Sequence, residues 1–194
     1  MRALRIVLPL AVALSLSACG VNSIPTKEEG VNAAWGEVEN QYQRRADLIP
    51  NLVATVQGYA AQEKDVLVGV TEARAKATQT TLNPGDLSDP AKVAAFQQAQ
   101  DGLSSALSRL MVVVEKYPDL KSNQNFLALQ TQLEGTENRI SIARRDYNSS
   151  VQAYNTEIRT FPSIIAAKTI YGAKPKEPFK ATTANAEVAP TVKF

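Results

Sequence analysis

The residues that could do chemistry are few. The chain of 194 residues has no histidine and a single cysteine, Cys19. Without histidine there is no Ser-His-Asp or Cys-His catalysis, no histidine-containing zinc site, no ExxH di-iron bundle and no histidine-held haem. One cysteine cannot form a disulfide within the chain. No GxGxxG, GxxxxGK[ST] or GxSxG run is present. What remains is the Cys19 thiol and five polar residues in or beside apolar stripes: Arg45, Glu63, Gln130, Glu137 and Arg144. No cofactor, metal or reaction is expected from this inventory.

Cys19 has a distinctive setting. Met1-Arg2-Ala3-Leu4-Arg5 is a short basic start, and Ile6 to Leu16 is an apolar run containing Pro9. A spanning helix needs about 20 apolar residues, so this run fits a secretory signal better. It ends in Leu16-Ser17-Ala18-Cys19-Gly20, which resembles the bacterial lipobox. The resemblance implies cleavage before Cys19, a diacylglycerol on its thiol and acylation of the new amine, typically by palmitate. Each buried methylene contributes about 0.8 kcal/mol, so two or three acyl chains anchor where one is marginal. A plain signal peptide or a buried cysteine is the alternative. The expected address is the cell envelope, with the chain facing the periplasm. Gly20 rather than aspartate favours the outer membrane if the source is Gram-negative. Losing residues 1–18 removes two of the 21 basic residues, leaving 19 against 19 acidic ones. Nothing in that balance attracts nucleic acid.

The elements that must position these groups read as helices, and the expected fold is all-α. Thr26-Lys27-Glu28-Glu29 has the form of a capping box. Apolar residues then recur in steps of four and three: Val31, Trp35, Val38, Tyr42, and later Leu52, Val56, Tyr59, Val66, Val70, Ala73 and Ala77. Asn83-Pro84-Gly85-Asp86 marks a turn within the loop Thr80 to Pro90. Phe96, Leu103, Leu107, Leu110, Val114 and Tyr117 form the next stripe, which Pro118 breaks, and Asp119 can cap another helix. Phe126, Leu133, Ile140, Tyr147, Tyr154 and Phe161 are spaced seven apart. Such repeats imply helices packed side by side at shallow angles, as in a coiled coil. Asp47-Leu48-Ile49-Pro50-Asn51 favours a hairpin with Asp47 as N-cap, giving four helices. The alternative is one helix of about 54 residues, roughly 80 Å long and kinked at Pro50, since the heptad phase runs across it. The resulting organisation is signal peptide 1–18, anchor linker 19–25, helical bundle 26–161, short helix 162–172 and a flexible tail 173–194, too poor in apolar residues to offset its ordering entropy.

Four segments carry a family resemblance. They are Gln41-Tyr42-Gln43-Arg44-Arg45-Ala46-Asp47-Leu48-Ile49-Pro50-Asn51-Leu52-Val53; Val70-Thr71-Glu72-Ala73-Arg74-Ala75; Tyr117-Pro118-Asp119-Leu120-Lys121 with Asn123-Gln124-Asn125-Phe126; and Leu133-Glu134-Gly135-Thr136-Glu137-Asn138-Arg139-Ile140 continuing to Ala143-Arg144-Arg145-Asp146-Tyr147-Asn148. Together they resemble the LemA family of bacterial membrane-associated proteins. The resemblance implies a long antiparallel four-helix bundle held at a membrane by its N-terminus. Many members use a transmembrane helix there, from which the lipobox departs. The family has no established biochemical activity, and its frequent neighbours, small membrane proteins and membrane proteases, suggest an accessory role.

Each polar feature has competing readings. Arg45, Glu63, Gln130, Glu137 and Arg144 could lie at the bundle edge and reach water, could fix helix register, or could line a ligand seam. Arg44-Arg45 and Arg144-Arg145 are expected to pair locally with Asp47 and Asp146. Trp35 and the tyrosines are expected in the core. Towards the C-terminus Arg159, Lys168, Lys174, Lys176, Lys180 and Lys193 face only Glu177 and Glu187. This excess could touch anionic headgroups or an acidic partner, or belong to a solvated tail. The expected function is a non-enzymatic, lipid-anchored scaffold or interaction module, partnered by the bilayer through acylated Cys19 and by a membrane or envelope protein. The alternative is a ligand-binding or accessory subunit of a membrane protein quality-control complex.

Overall fold

The computed structural model describes residues 22–180. Cys19, the signal segment and residues 181–194 lie outside them. The described residues are helical, without strands. Helix α1 spans Ser23–Gln57, α2 Lys64–Gln79, α3 Pro90–Val114, the short α4 Pro118–Lys121, α5 Gln124–Glu157 and the short α6 Ser163–Ala166, which runs into a π-helical turn, Ala167–Tyr171. A 3-10 turn, Pro84–Ser88, precedes α3, at the predicted Asn-Pro-Gly-Asp punctuation.

No hairpin forms at Pro50: α1 runs through it. Proline has no N–H for the carbonyl four residues earlier, which ordinarily breaks a helix. Here that carbonyl belongs to Ala46, and the Arg74 Nε of α2 donates to it at 2.8 Å. The guanidinium takes the place of the missing backbone donor. The turn comes instead at Gly58–Glu63, where Tyr59 and Ala60 amides both bond back to the Val56 carbonyl. The starts of α1 and α5 also differ from expectation. α1 begins at Ser23, and the Thr26 hydroxyl donates to the Asn22 carbonyl at 2.9 Å inside its first turn. Asp119 lies within α4, and Asn123 caps α5, its Oδ1 accepting from the Asn125 and Phe126 amides at 2.9 and 3.1 Å.

The chain divides into two compact units. Among the described residues, unit 1 holds residues 22–45, Asn83–Pro90 and Glu134–Pro178; unit 2 holds Ala46–Leu82, Ala91–Leu133 and residues 179–180. An apolar cluster fills unit 2. Ile49, Leu52 and Val56 of α1, Leu67, Val70 and Ala77 of α2, Leu103, Leu107, Leu110 and Val114 of α3, and Phe126 and Leu133 of α5 all join it. Its two turns are laced together by polar side chains. Asn123 Nδ2 donates to the Tyr59 hydroxyl, and Gln62 Nε2 donates to the Tyr117 hydroxyl, both at 2.9 Å.

Unit 1 is built differently. It has only the first part of α1 and the later part of α5 as long helical segments. Their buried faces are Val31, Trp35, Val38 and Tyr42 on one, and Ile140, Tyr147, Val151 and Tyr154 on the other. Trp35 and Tyr147 meet edge to face, with centroids 5.7 Å apart. The heptad run therefore holds from Phe126 to Tyr154, and stops there. Phe161, beyond the end of α5, is 82% exposed rather than core.

The predicted flexible tail is corrected over its first residues. Residues 173–180 carry no helix, yet Lys176 and Phe179 are buried. In unit 1, Asn155 grips the Lys176 backbone from both sides: its Nδ2 donates to the Lys176 carbonyl and its Oδ1 accepts from the Lys176 amide, each at 2.8 Å. The Glu177 amide donates to the Leu87 carbonyl at 2.8 Å, and the Tyr147 hydroxyl donates to the Glu177 carbonyl at 3.0 Å. In unit 2, Gln97 holds Lys180 in the same way, Nε2 to carbonyl at 2.8 Å and amide to Oε1 at 3.4 Å. Composition measures how little apolar surface a segment can bury by itself. It does not register peptide groups that another element's amides can hold.

Candidate functional site

Arg45 occupies a heptad position of α1, one turn from Tyr42 and Ile49, where a hydrophobic residue would ordinarily stand. It is 1% exposed. Its Nη1 meets Glu137 Oε1 of α5 at 2.8 Å, and its guanidinium carbon lies 5.1 Å from the centroid of the Tyr42 ring. The Glu137 side chain is 42% exposed. The pair thus joins a buried cation to a carboxylate that still reaches water. Arg45 takes Glu137 across unit 1, and Arg145 pairs with Asp146, at 3.1 Å.

Glu63 sits in the turn before α2, in unit 2, where its Oε1 accepts the Tyr117 hydroxyl at 2.9 Å. This bond pushes the Tyr117 ionisation upwards, because the phenolate would face a carboxylate. Gln130 and Arg144 are half-buried on α5, in units 2 and 1 respectively. Among the described residues no group of three or more histidine, cysteine, aspartate or glutamate side chains is placed to hold a metal ion. Nor is any described helix long and apolar enough to cross a membrane.

A second polar centre in unit 1 was not singled out by the sequence. Lys176 is buried, its Nζ 3.0 Å from Glu28 Oε1, 3.4 Å from the Pro84 carbonyl and 5.9 Å from the centre of the Tyr154 ring. One lysine therefore ties α1, the turn before α3, the C-terminal segment and α5. Burial, with the Glu28 charge adding to it, pushes the Tyr154 phenol up to about 12. Burial first, then the Glu177 charge, pushes Tyr147 up as well. Both effects hold these phenols neutral.

A third cluster closes the end of unit 1. Glu157 Oε1 accepts from the Ser163 hydroxyl at 2.6 Å and the Ser23 hydroxyl at 2.5 Å, and its Oε2 lies 3.7 Å from Lys27 Nζ. The two hydroxyls, with a smaller contribution from Lys27, hold the carboxyl below its ordinary range against the opposing effect of burial. The signal that could have found these clusters is weak. Asn155, Ser23 and Ser163 are common surface residues, and only the fold gives them partners.

These arrangements bind parts of the chain to one another. A groove of about 300 Å³ on unit 1, lined by Asn148, Gln152, Asn155, Thr156 and Arg159, has amides and one guanidinium but no carboxylate or thiol.

Comparison with known proteins agrees with the four segments of resemblance. The sequence model of the LemA family matches residues 34–194. Magnetosome protein MamQ 2 of Paramagnetospirillum magneticum is 31% identical, over 73% of this chain and 58% of that protein. MamQ of Magnetospirillum gryphiswaldense is 29% identical over the same shares. Protein LemA of Metamycoplasma hominis is 23% identical, over 72% of this chain and 60% of that protein. The chain spans about three-fifths of the length of these curated relatives. A match to the family model over most of the chain leads to one conclusion: the chain belongs to the LemA family.

Proposed function

We propose that this protein is a lipid-anchored, non-enzymatic scaffold or interaction module of the cell envelope. The observation that carries the proposal is Leu16-Ser17-Ala18-Cys19, set behind a basic start and a short apolar run. Acylation of Cys19 tethers the chain to the bilayer on the periplasmic face, at the outer membrane in a two-membrane cell. The body is a long antiparallel four-helix bundle, a reading supported by the apolar cluster that α1, α2, α3 and α5 share in unit 2. It presents its surfaces to an envelope protein. The alternative, a ligand-binding or accessory subunit of a quality-control complex working through the polar seam, is less well supported, because the Arg45 charge is already met by Glu137.

Labelled palmitate fed to cells making the full chain is expected to enter the protein and to be lost on Cys19→Ser. Absence of label in the native protein would overturn the anchor. Crosslinking in cells is expected to capture a membrane or envelope protein, and recovery of the chain alone would overturn the scaffold role.

A further inference from the structure

We infer that the end of unit 1 formed by residues 159–174 lies on the bilayer surface, as a membrane-facing foot beside the anchor. The inference rests on the proposed Cys19 anchor and adds the surface that meets the lipid. Nine large apolar side chains are exposed among the described residues, and four of them fall in this one stretch. Phe161 is 82% exposed, Ile165 56%, Ile170 63% and Tyr171 41%. Ile165 stands in α6 and Ile170 in the π-helical turn that continues it. Clustered exposed apolar groups with a polar rim mark an interaction surface. Here the rim is cationic: Arg159, Lys168 and Lys174 are exposed, and no aspartate or glutamate occurs between Ile158 and Pro175. Apolar rings and branched chains set among cations suit the interfacial layer of a bilayer with anionic headgroups. The apolar groups enter the acyl boundary, and the long basic side chains reach the phosphates.

Chain length places the anchor beside this surface. Glu157 joins the Ser23 hydroxyl of α1 to the Ser163 hydroxyl of α6, so the first turn of α1 adjoins the start of the patch. Cys19 precedes Asn22 by three residues. Whatever its conformation, a three-residue span reaches at most about 11 Å. An acylated Cys19 therefore holds the patch within a short reach of the headgroups.

The test uses the native acylated chain, purified in detergent and reconstituted into phosphatidylethanolamine vesicles containing phosphatidylglycerol. With Cys19 acylated, Ile165→Cys and Ile170→Cys each provide a unique thiol for an environment-sensitive fluorophore. Ile142→Cys, on an exposed position of α5 within unit 1, is the control. Shallow doxyl-labelled lipid is expected to quench the labels at 165 and 170 and to leave that at 142 at baseline. Palmitate incorporation is read on the same preparation. Palmitate present with no quenching at 165 and 170 overturns the foot and leaves the anchor standing. Palmitate absent from the preparation overturns the anchor and, with it, this inference. Blue-shifted emission without quenching by lipid places the patch against protein, and overturns the proposal.

Discussion

Unit 2 and unit 1 solve the same problem with different means. Unit 2 draws on four long helices, and aliphatic side chains from all four fill its cluster. Unit 1 has two long helical segments, which offer fewer faces to bury against. It compensates with large rings (Trp35, Tyr42, Tyr147 and Tyr154) and with a non-helical segment held over them by side-chain amides. Where helices are few, volume per side chain rises and hydrogen bonds take over the closing of the core. The charged groups buried in unit 1 among the described residues, Arg45 and Lys176, are each met by a carboxylate, as burial of charge requires.

The contrast can be broken most forcefully at Trp35. Trp35→Ala is expected to cost about 3–5 kcal/mol, since two helical segments leave little to collapse into the space. Leu103→Ala in unit 2 is expected to cost less, at the low end of about 2–5 kcal/mol. Thermal melts followed by ellipticity measure both, and equal costs would remove the distinction. Next comes Glu137→Ala, which leaves the Arg45 guanidinium buried without its carboxylate. Because Glu137 is itself part-exposed, water offsets some of the loss, and about 2 kcal/mol is expected in urea titrations. Asn155→Ala removes both bonds to the Lys176 backbone, and about 1–2 kcal/mol is expected. Amide exchange at residues 173–178 should rise well before exchange in unit 2 does. The smallest effect sharpens the account of α1. Arg74→Met is expected to cost about 1 kcal/mol with Pro50 in place and less in a Pro50→Ala background, where a backbone N–H again serves the Ala46 carbonyl.

The rings of unit 1 also give it a pH signature. Tyr147 and Tyr154 are both raised by burial, so their neutral forms favour the folded state. Their contribution is complete below the unfolded phenol value of about 10 and is lost as pH rises from there through the folded value. For Tyr154 that value is about 12. Fluorescence of the one tryptophan, Trp35, reports unit 1. It should change over that window before helicity is lost, whereas simultaneous loss would deny unit 1 a separate response.

The long helices were legible because heptad phase is a local, repeated signal. It traced the buried stripes of α1 and of α5 as far as Tyr154, and it carried Arg45 in phase with them. The hairpin was misplaced because the proline rule is local while its remedy is not: Arg74 is 28 residues from the carbonyl it serves. Glu137 was marked by its companion position, but its partnership with Arg45, 92 residues away, had no sequence sign. The closing segment was least legible. Its residues look solvated, and the groups that hold it are single amides on helices read for their apolar faces.

The two amide hooks, Asn155 and Gln97, grip peptide groups and leave the gripped side chains out of the transaction. Such a clasp is indifferent to spelling. The clasp alone tolerates any residue with an N–H, although the buried Lys176 ammonium against Glu28 fixes that residue for another reason; neither gripped position can become proline, which would have no N–H to offer the waiting oxygen.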